Sequence, residues 1–158
     1  MLNKLAIIIV GKPNAGKTTT LKHFHDSYYY KKPKYLRQVL RRDFSPFNYT
    51  FIGLKIIAFF LPSSRTETEK SLKETFVKIN LGWYPDFIFM AEQLDGDEYD
   101  NTIKYLRQKE YHIKEFVITD TNPDSTWRFY DKIDCKNIQL HRTEQIADYV
   151  RNFIKSRI

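Results

Sequence analysis

The sequence predicts an α/β fold, a three-layer α/β/α sandwich formed by residues 1–158 as a single domain. Two observations carry this prediction. Short apolar runs alternate along the chain with segments of helical period, and the first apolar run leads through a glycine-containing loop into a helix. A chain of this length can bury one substantial core. In such folds ligands bind at the carboxyl ends of the strands, so candidate site residues are sought where strands end.

The N-terminal half is predicted to contain a strand, a helix and a hairpin. Residues 5–10 form a continuous apolar run rich in β-branched side chains, which is typical of a strand buried on both faces. A helix opens at Lys17. Residues 44–52 and 54–61 read as two strands joined by a tight turn at Gly53, because the first of them alternates apolar and polar positions. An antiparallel hairpin is therefore expected after the first helix.

The middle of the chain predicts two further helices around a buried strand. Thr66 and Glu69 form a capping-box pattern, which predicts a helix that runs to about Asn80. Residues 87–90 read as a buried strand, and Asp97 can cap the helix that follows. One face of that helix carries Tyr99, Ile103 and Leu106.

The last third is predicted to end in a long amphipathic helix. Residues 116–118 read as a strand, residues 127–133 as a short helical piece and residues 137–140 as a last strand. Thr143 is expected to cap the final helix. The apolar stripe of this final helix comprises Ile146, Val150, Phe153, Ile154 and Ile158.

The loop between the first strand and the first helix carries the strongest functional signal. Residues 11–18, GKPNAGKT, match the phosphate-binding pattern G-x-x-x-x-G-K-[ST] in the strand–loop–helix context that this pattern requires. Gly11 and Gly16 allow backbone geometry that a Cβ would forbid. Lys17 is expected to reach the β and γ phosphates, and the Thr18 hydroxyl to hold Mg²⁺. The predicted phosphate-binding set is Gly11, Lys12, Pro13, Asn14, Ala15, Gly16, Lys17, Thr18 and Thr19. The alternative is a chance match in an ordinary strand–turn–helix.

This motif resembles that of the P-loop (Walker A) NTPase superfamily. The resemblance implies the P-loop NTPase fold with a mostly parallel sheet, and a nucleoside triphosphate as ligand with Mg²⁺ as cofactor. The order of phosphate loop, helix, variable segment, hairpin and α/β units is similar to that of Ras-like small GTPases. In that layout the strand after the hairpin ends in D-x-x-G, whereas residues 61–64 here are LPSS. Residues 121–124, TNPD, lack the lysine of the guanine-reading motif, so ATP is favoured and GTP stays open.

Three further residues are candidates for completing the site. Glu92 and Asp120 lie at the ends of predicted strands and are candidate metal ligands beside Thr18, with Glu92 also a catalytic candidate. The alternative for each acid is that it caps the next turn. Arg65 follows the Ser63-Ser64 turn and is a candidate for contacting phosphate, so the catalytic candidates are Lys17, Glu92 and Arg65.

The charge and composition of the chain limit the kinds of partner that are expected. The formal net charge of +7 indicates an anionic partner. Lysines and arginines of segment 31–42 stand beside tyrosines; a solvated surface is favoured there, and nucleic-acid binding stays open. A lone cysteine, Cys135, predicts a reducing, cytoplasmic setting, and the absence of a long apolar run predicts no membrane span.

The favoured function is a small regulatory NTPase, which hydrolyses ATP or GTP with Mg²⁺ and controls a protein partner through its nucleotide state. Two alternatives stay open. One is a small P-loop kinase or phosphotransferase, in which Arg42 and Asp43 bind the acceptor. The other is a nucleotide sensor that does not hydrolyse its ligand, or a nucleic-acid-binding module.

Overall fold

Strands and helices alternate along the chain in the computed structural model. It describes residues 3–28, 46–51, 54–79, 84–119, 127–129 and 135–157. The strands in these ranges are β1 (Leu5–Val10), β2 (Pro46–Phe51), β3 (Leu54–Leu61), β4 (Phe87–Glu92) and β5 (His112–Val117). The helices are α1 (Lys17–Tyr28), α2 (Arg65–Thr68), α3 (Leu72–Ile79), α4 (Tyr99–Gln108) and α5 (Cys135–Lys155).

The described strands form one five-stranded sheet in the order β2-β3-β4-β1-β5. β1 pairs in parallel with both β4 and β5, and β3 pairs in parallel with β4. β2 pairs antiparallel with β3, so the predicted hairpin is confirmed, as is the α/β class. Val10 lies in register with Glu92 and with Val117, and the carboxyl ends of three neighbouring strands therefore meet at one edge of the sheet.

Helices cover both faces of the sheet, which forms the middle of three layers. Alternate residues of β1 face opposite ways, as the pleat requires. On one face Leu5, Ile7 and Ile9 pack in a cluster with residues of α1 and α5. On the other face Ala6, Ile8 and Val10 pack with residues of α3 and α4. All six residues of β1 are buried, as its continuous apolar run predicts.

The prediction of a strand at residues 137–140 is wrong. These residues lie in α5, which begins at Cys135 and not at Thr143. Three residues, Ile138, Gln139 and Leu140, are too few for periodicity to distinguish a strand from part of a helix, and here the longer helical pattern prevails. The predicted helical piece at 127–133 is not helical over residues 127–129, where the Trp127 carbonyl accepts a hydrogen bond from the Thr119 amide.

The helix after β3 is divided into two, and the predicted capping box is displaced. Ser64 and Glu67 form the capping box of α2, and Ser71 and Glu74 form a second one before α3. Between them Glu69, with φ of 54°, ends α2 in the left-handed region. The S/T-x-x-E spacing occurs three times in this stretch, and the spacing alone did not distinguish the two functional pairs from the third. Similarly, α4 has Glu98 and not Asp97 as its N-cap.

Candidate phosphate-binding site

The glycine-containing loop follows β1 and so lies between the carboxyl ends of β4 and β5. The Gly11 amide donates to the Glu92 carbonyl at 3.2 Å, which ties the start of the loop to the end of β4. A Cβ on Gly11 would lie 3.2 Å from the Ile118 Cβ, a tight contact that glycine avoids. Gly16 has φ of 86° and Asn14 has φ of 63°, both in the left-handed region. These conformations turn the chain sharply enough for α1 to begin directly at Lys17.

The Lys17 side chain folds back across its own loop. Its ammonium donates to the Gly11 carbonyl at 2.9 Å and to the Lys12 carbonyl at 2.6 Å. Only 5% of the residue is exposed, and burial lowers the pKa of the amine, while the carboxylates of Glu67 and Glu92 act in the opposite direction. A desolvated cation is thus held against the loop by neutral oxygens.

Thr18 joins the start of α1 to the segment that follows β3. Its hydroxyl donates to the Pro62 carbonyl at 2.7 Å. The end of β3 therefore lies beside loop 11–18, although β4 and not β3 is the sheet neighbour of β1. Residues 61–64 offer no carboxylate at this place.

Glu67 supplies a carboxylate that sequence reasoning missed. An open pocket is lined by loop residues 14–19, by Glu67 and, from α5, by Cys135 and Gln139. Glu67 is exposed, and its two carboxylate oxygens accept from the Ser64 amide at 3.3 Å and from the Gln93 side chain at 3.2 Å. The S-x-x-E spacing of residues 64–67, directly after β3, is the signal from which it could have been found.

Glu92, the predicted metal ligand and catalytic acid, is fully buried. Its carboxylate accepts from the Thr102 hydroxyl at 3.1 Å and from the Gln93 amide at 3.2 Å, and burial raises its pKa. It does not line the pocket of residues 14–19. These contacts describe a carboxylate that joins β4 to α4 below the loop, and they give its predicted role in metal binding no support.

Arg65, the predicted phosphate contact, is also fully buried. Its guanidinium donates to the Thr75 hydroxyl and to the Ser63 carbonyl, both at 2.8 Å, and so joins α2 to α3. This position favours a structural role. Asp120, the third candidate, lies outside the described residues, as do segment 31–42 and Asp43.

A second buried arginine, which sequence reasoning also missed, holds α5 against the loop. The Arg142 guanidinium donates to the Ala15 carbonyl and to the Thr20 hydroxyl, each at 3.4 Å, and to the Arg128 carbonyl. It also lies over the Trp127 ring at 5.2 Å. The signal in the sequence is its place in the apolar stripe of α5, in line with Ile146.

A separate cavity opens on the other side of the loop. It is lined by residues 11–13, by residues 93–95 after β4, by residues 117–119 at the end of β5 and by Phe129. Its walls are mostly apolar, and Asp95 contributes a carboxylate. The loop thus separates two concave regions, of which only the one lined by residues 14–19 contains Lys17 and Thr18.

The pocket contains oxygen donors suited to Mg²⁺. Within the described residues, no group of three or more His, Cys, Asp or Glu side chains is arranged to hold a metal ion. A Mg²⁺ ion bound with phosphates keeps several waters and takes one or two protein ligands, so the Thr18 hydroxyl and the Glu67 carboxylate fit its requirements. In the same ranges, no helix has the length and apolar character needed to cross a membrane.

Comparison of the chain with protein-family models, with characterised proteins and with solved structures gave no match in any of the three. The functional conclusion therefore depends on the loop and the pocket.

Proposed function

We propose that this protein is a P-loop NTPase, which binds a nucleoside triphosphate with Mg²⁺ on loop 11–18 and hydrolyses it as a small regulatory NTPase. ATP is the favoured nucleotide, and a cytoplasmic setting is proposed with it. The observation that carries the proposal is the Lys17 ammonium, buried at a loop of matching sequence between a parallel strand and a helix. A chance strand–turn–helix has no need to bury a cation there.

The chemistry of the loop favours a phosphate ligand. In the described contacts the Lys17 ammonium bonds two neutral carbonyls, and exchanging these for phosphate oxygens gives shorter, charge-assisted hydrogen bonds. Loop amides and the positive end of the α1 dipole add to the attraction. A phosphate chain would also restore counter-charge to a cation that burial destabilises.

Thr18 and Glu67 are the residues that would hold Mg²⁺, which neutralises charge on the phosphates when bound. The Glu67 carboxylate is oriented by the Ser64 amide and the Gln93 side chain. An exposed carboxylate fixed in this way can also orient an attacking water by accepting its hydrogen bond. We therefore assign to Glu67 the acidic role that was predicted for Glu92.

A phosphotransferase is the second candidate. The observation that favours it is the separate cavity beside residues 11–13, which is large enough to hold a small acceptor and offers the Asp95 carboxylate as a proton acceptor. This function predicts nucleotide binding without rapid release of phosphate to water.

The test is phosphate release from ATP and from GTP, each with Mg²⁺ or with EDTA, by the parent protein and two lysine variants. Lys17→Ala removes the loop cation, and Lys22→Ala removes an exposed lysine of the same helix as a matched control. We expect metal-dependent release by the parent and by Lys22→Ala, with loss in Lys17→Ala. Binding without release would contradict the hydrolase and favour the phosphotransferase or a sensor.

A further inference from the structure

We propose that the pocket of residues 14–19 binds a nucleotide in one orientation. The terminal phosphates lie at Glu67, and the nucleoside lies against the start of α5, where Gln139 contacts it. This proposal rests on the proposed function, because it assigns the two ends of a nucleotide bound on the loop. It names Gln139 as a residue that contacts the nucleoside.

The pocket crosses the N-terminus of α1 from one side to the other. Thr18 bonds Pro62, so the segment after β3, which leads into α2 and Glu67, lies on one side of α1. On the other side α5 packs against α1, where the His23 ring and the Thr143 hydroxyl lie 2.8 Å apart. The loop residues that the phosphates would contact lie between these two walls.

The charge at the first wall determines which end of the nucleotide lies there. The Glu67 carboxylate acts on the Lys17 ammonium, which is the expected partner of the β and γ phosphates. A carboxylate repels phosphate unless a cation lies between them, and Mg²⁺ accompanies the terminal phosphates of a nucleotide. The terminal end therefore belongs at Glu67, and the uncharged nucleoside at the opposite wall.

The described residues of the opposite wall, Cys135 and Gln139, are neutral and can form hydrogen bonds. Cys135 and Gln139 lie one turn apart on the same face of α5, and the Gln139 amide donates to the Cys135 sulfur at 3.6 Å. A carboxamide has donors and an acceptor, which suits sugar hydroxyls or the edge of a base. Arg142, one turn further along α5, bonds the Ala15 carbonyl and so fixes this wall relative to the loop.

The chain's single cysteine, Cys135, lies in this wall and reports on its occupancy. The rate of its reaction with the thiol reagent DTNB is measured for the protein alone, with saturating Mg·ATP and with saturating Mg·tripolyphosphate. Tripolyphosphate is the matched ligand that lacks a nucleoside. We expect Mg·ATP to slow the reaction by about tenfold or more, and tripolyphosphate to slow it by less than about twofold.

A second measurement uses the affinities of the same two ligands for Gln139→Ala. Loss of a hydrogen bond predicts ATP binding weaker by about fivefold to tenfold, with tripolyphosphate binding unchanged. Asn137→Ala, on an exposed position of the same helix, is the control that should alter neither. Alanine is the best helix former, so both variants keep α5.

The outcomes separate this proposal from the one on which it rests. The assigned orientation is wrong if the parent binds both ligands but Cys135 reacts with DTNB equally fast in the two complexes. It is also wrong if Gln139→Ala weakens the binding of neither ligand, or weakens the binding of both ligands equally. If the parent binds neither ligand, the proposed function itself is wrong. If Cys135 does not react with DTNB in the protein alone, the affinities of Gln139→Ala for ATP and for tripolyphosphate decide.

Discussion

Two carboxylates act on the Lys17 ammonium, and their surroundings differ. Glu92 is fully buried and bonded to Thr102 of α4, whereas Glu67 is exposed in the pocket beside the loop. Both raise the pKa of Lys17 against the effect of burial. A position at the end of a strand therefore does not by itself bring a carboxylate into the pocket beside the loop. What decides is the face of the sheet toward which the side chain points.

The alternation along β4 gives the physical reason. Phe87, Phe89 and Ala91 belong to the core cluster shared with α1 and α5, whereas Ile88 and Met90 belong to the cluster shared with α3 and α4. Glu92 continues the second series and so faces α4, on the side of the sheet away from α1. Glu67 lies on a helix after β3 and is not bound by this alternation.

The largest effect is expected when each carboxylate in turn is replaced by its amide. Glu67→Gln should slow phosphate release on the order of 100-fold, because a neutral amide oxygen orients water more weakly than a carboxylate and cannot take its proton. Glu92→Gln should slow it by less than about threefold, since we place that side chain outside the reacting groups. The measurement is steady-state phosphate release with Mg·ATP.

The chain offers a close control for this comparison. Glu74 occupies the same capping position in α3 as Glu67 does in α2, and glutamine also serves in a capping box. Glu74→Gln should therefore match the parent. If Glu92→Gln releases phosphate more slowly than Glu67→Gln, the assignment is reversed and the role that the sequence predicts for Glu92 is restored.

A smaller effect is expected on the Mg²⁺ requirement. If Glu67 holds the metal, Glu67→Gln should need about tenfold more Mg²⁺ for half-maximal ATP binding, because a charged oxygen ligand becomes neutral. Glu92→Gln should need the same concentration as the parent. The measurement is ATP binding at equilibrium over a range of Mg²⁺ concentrations. An unchanged requirement in Glu67→Gln would remove this residue from the metal site and leave it only the role of orienting water.

The smallest effect is expected on the pH dependence of stability. Burial raises the pKa of Glu92 in the folded state, so the folded protein binds this proton more tightly than the unfolded chain does. Its charge therefore costs stability, and that cost grows as pH rises from the ordinary glutamate pKa through the raised one. Glu92→Gln removes the titration.

Urea unfolding of parent and Glu92→Gln between pH 4 and pH 8 measures this cost. The stability of the variant relative to the parent should increase with pH. If the stability of Glu92→Gln relative to the parent falls as pH rises, the fold stabilises the charged form of the Glu92 carboxyl, which would contradict this prediction.

The elements that were predicted correctly from the sequence are those whose residue pattern fits only one type of secondary structure. A continuous apolar run such as β1, directly before a glycine loop, fits a buried strand, and the alternation before Gly53 fits a strand of a hairpin. The start of α5 was missed because Ile138 to Leu140 fits either period. Glu67 and Arg142 were missed because their positions beside the loop depend on contacts across the fold, with Gln93 and with Ala15. Local spacing marks Glu67 only as a capping residue and Arg142 only as part of an apolar stripe.

The most direct test of the central claim is an equilibrium titration of Mg·ATP into the parent, Lys17→Ala and Lys22→Ala. Hydrogen bonds to charged groups contribute about 1.5–3 kcal/mol each, so binding to Lys17→Ala should weaken on the order of 100-fold while Lys22→Ala matches the parent. The melting temperature without nucleotide should show that Lys17→Ala stays folded. Equal affinity in parent and Lys17→Ala, or no binding by the parent, would contradict the assignment of the loop as a phosphate site.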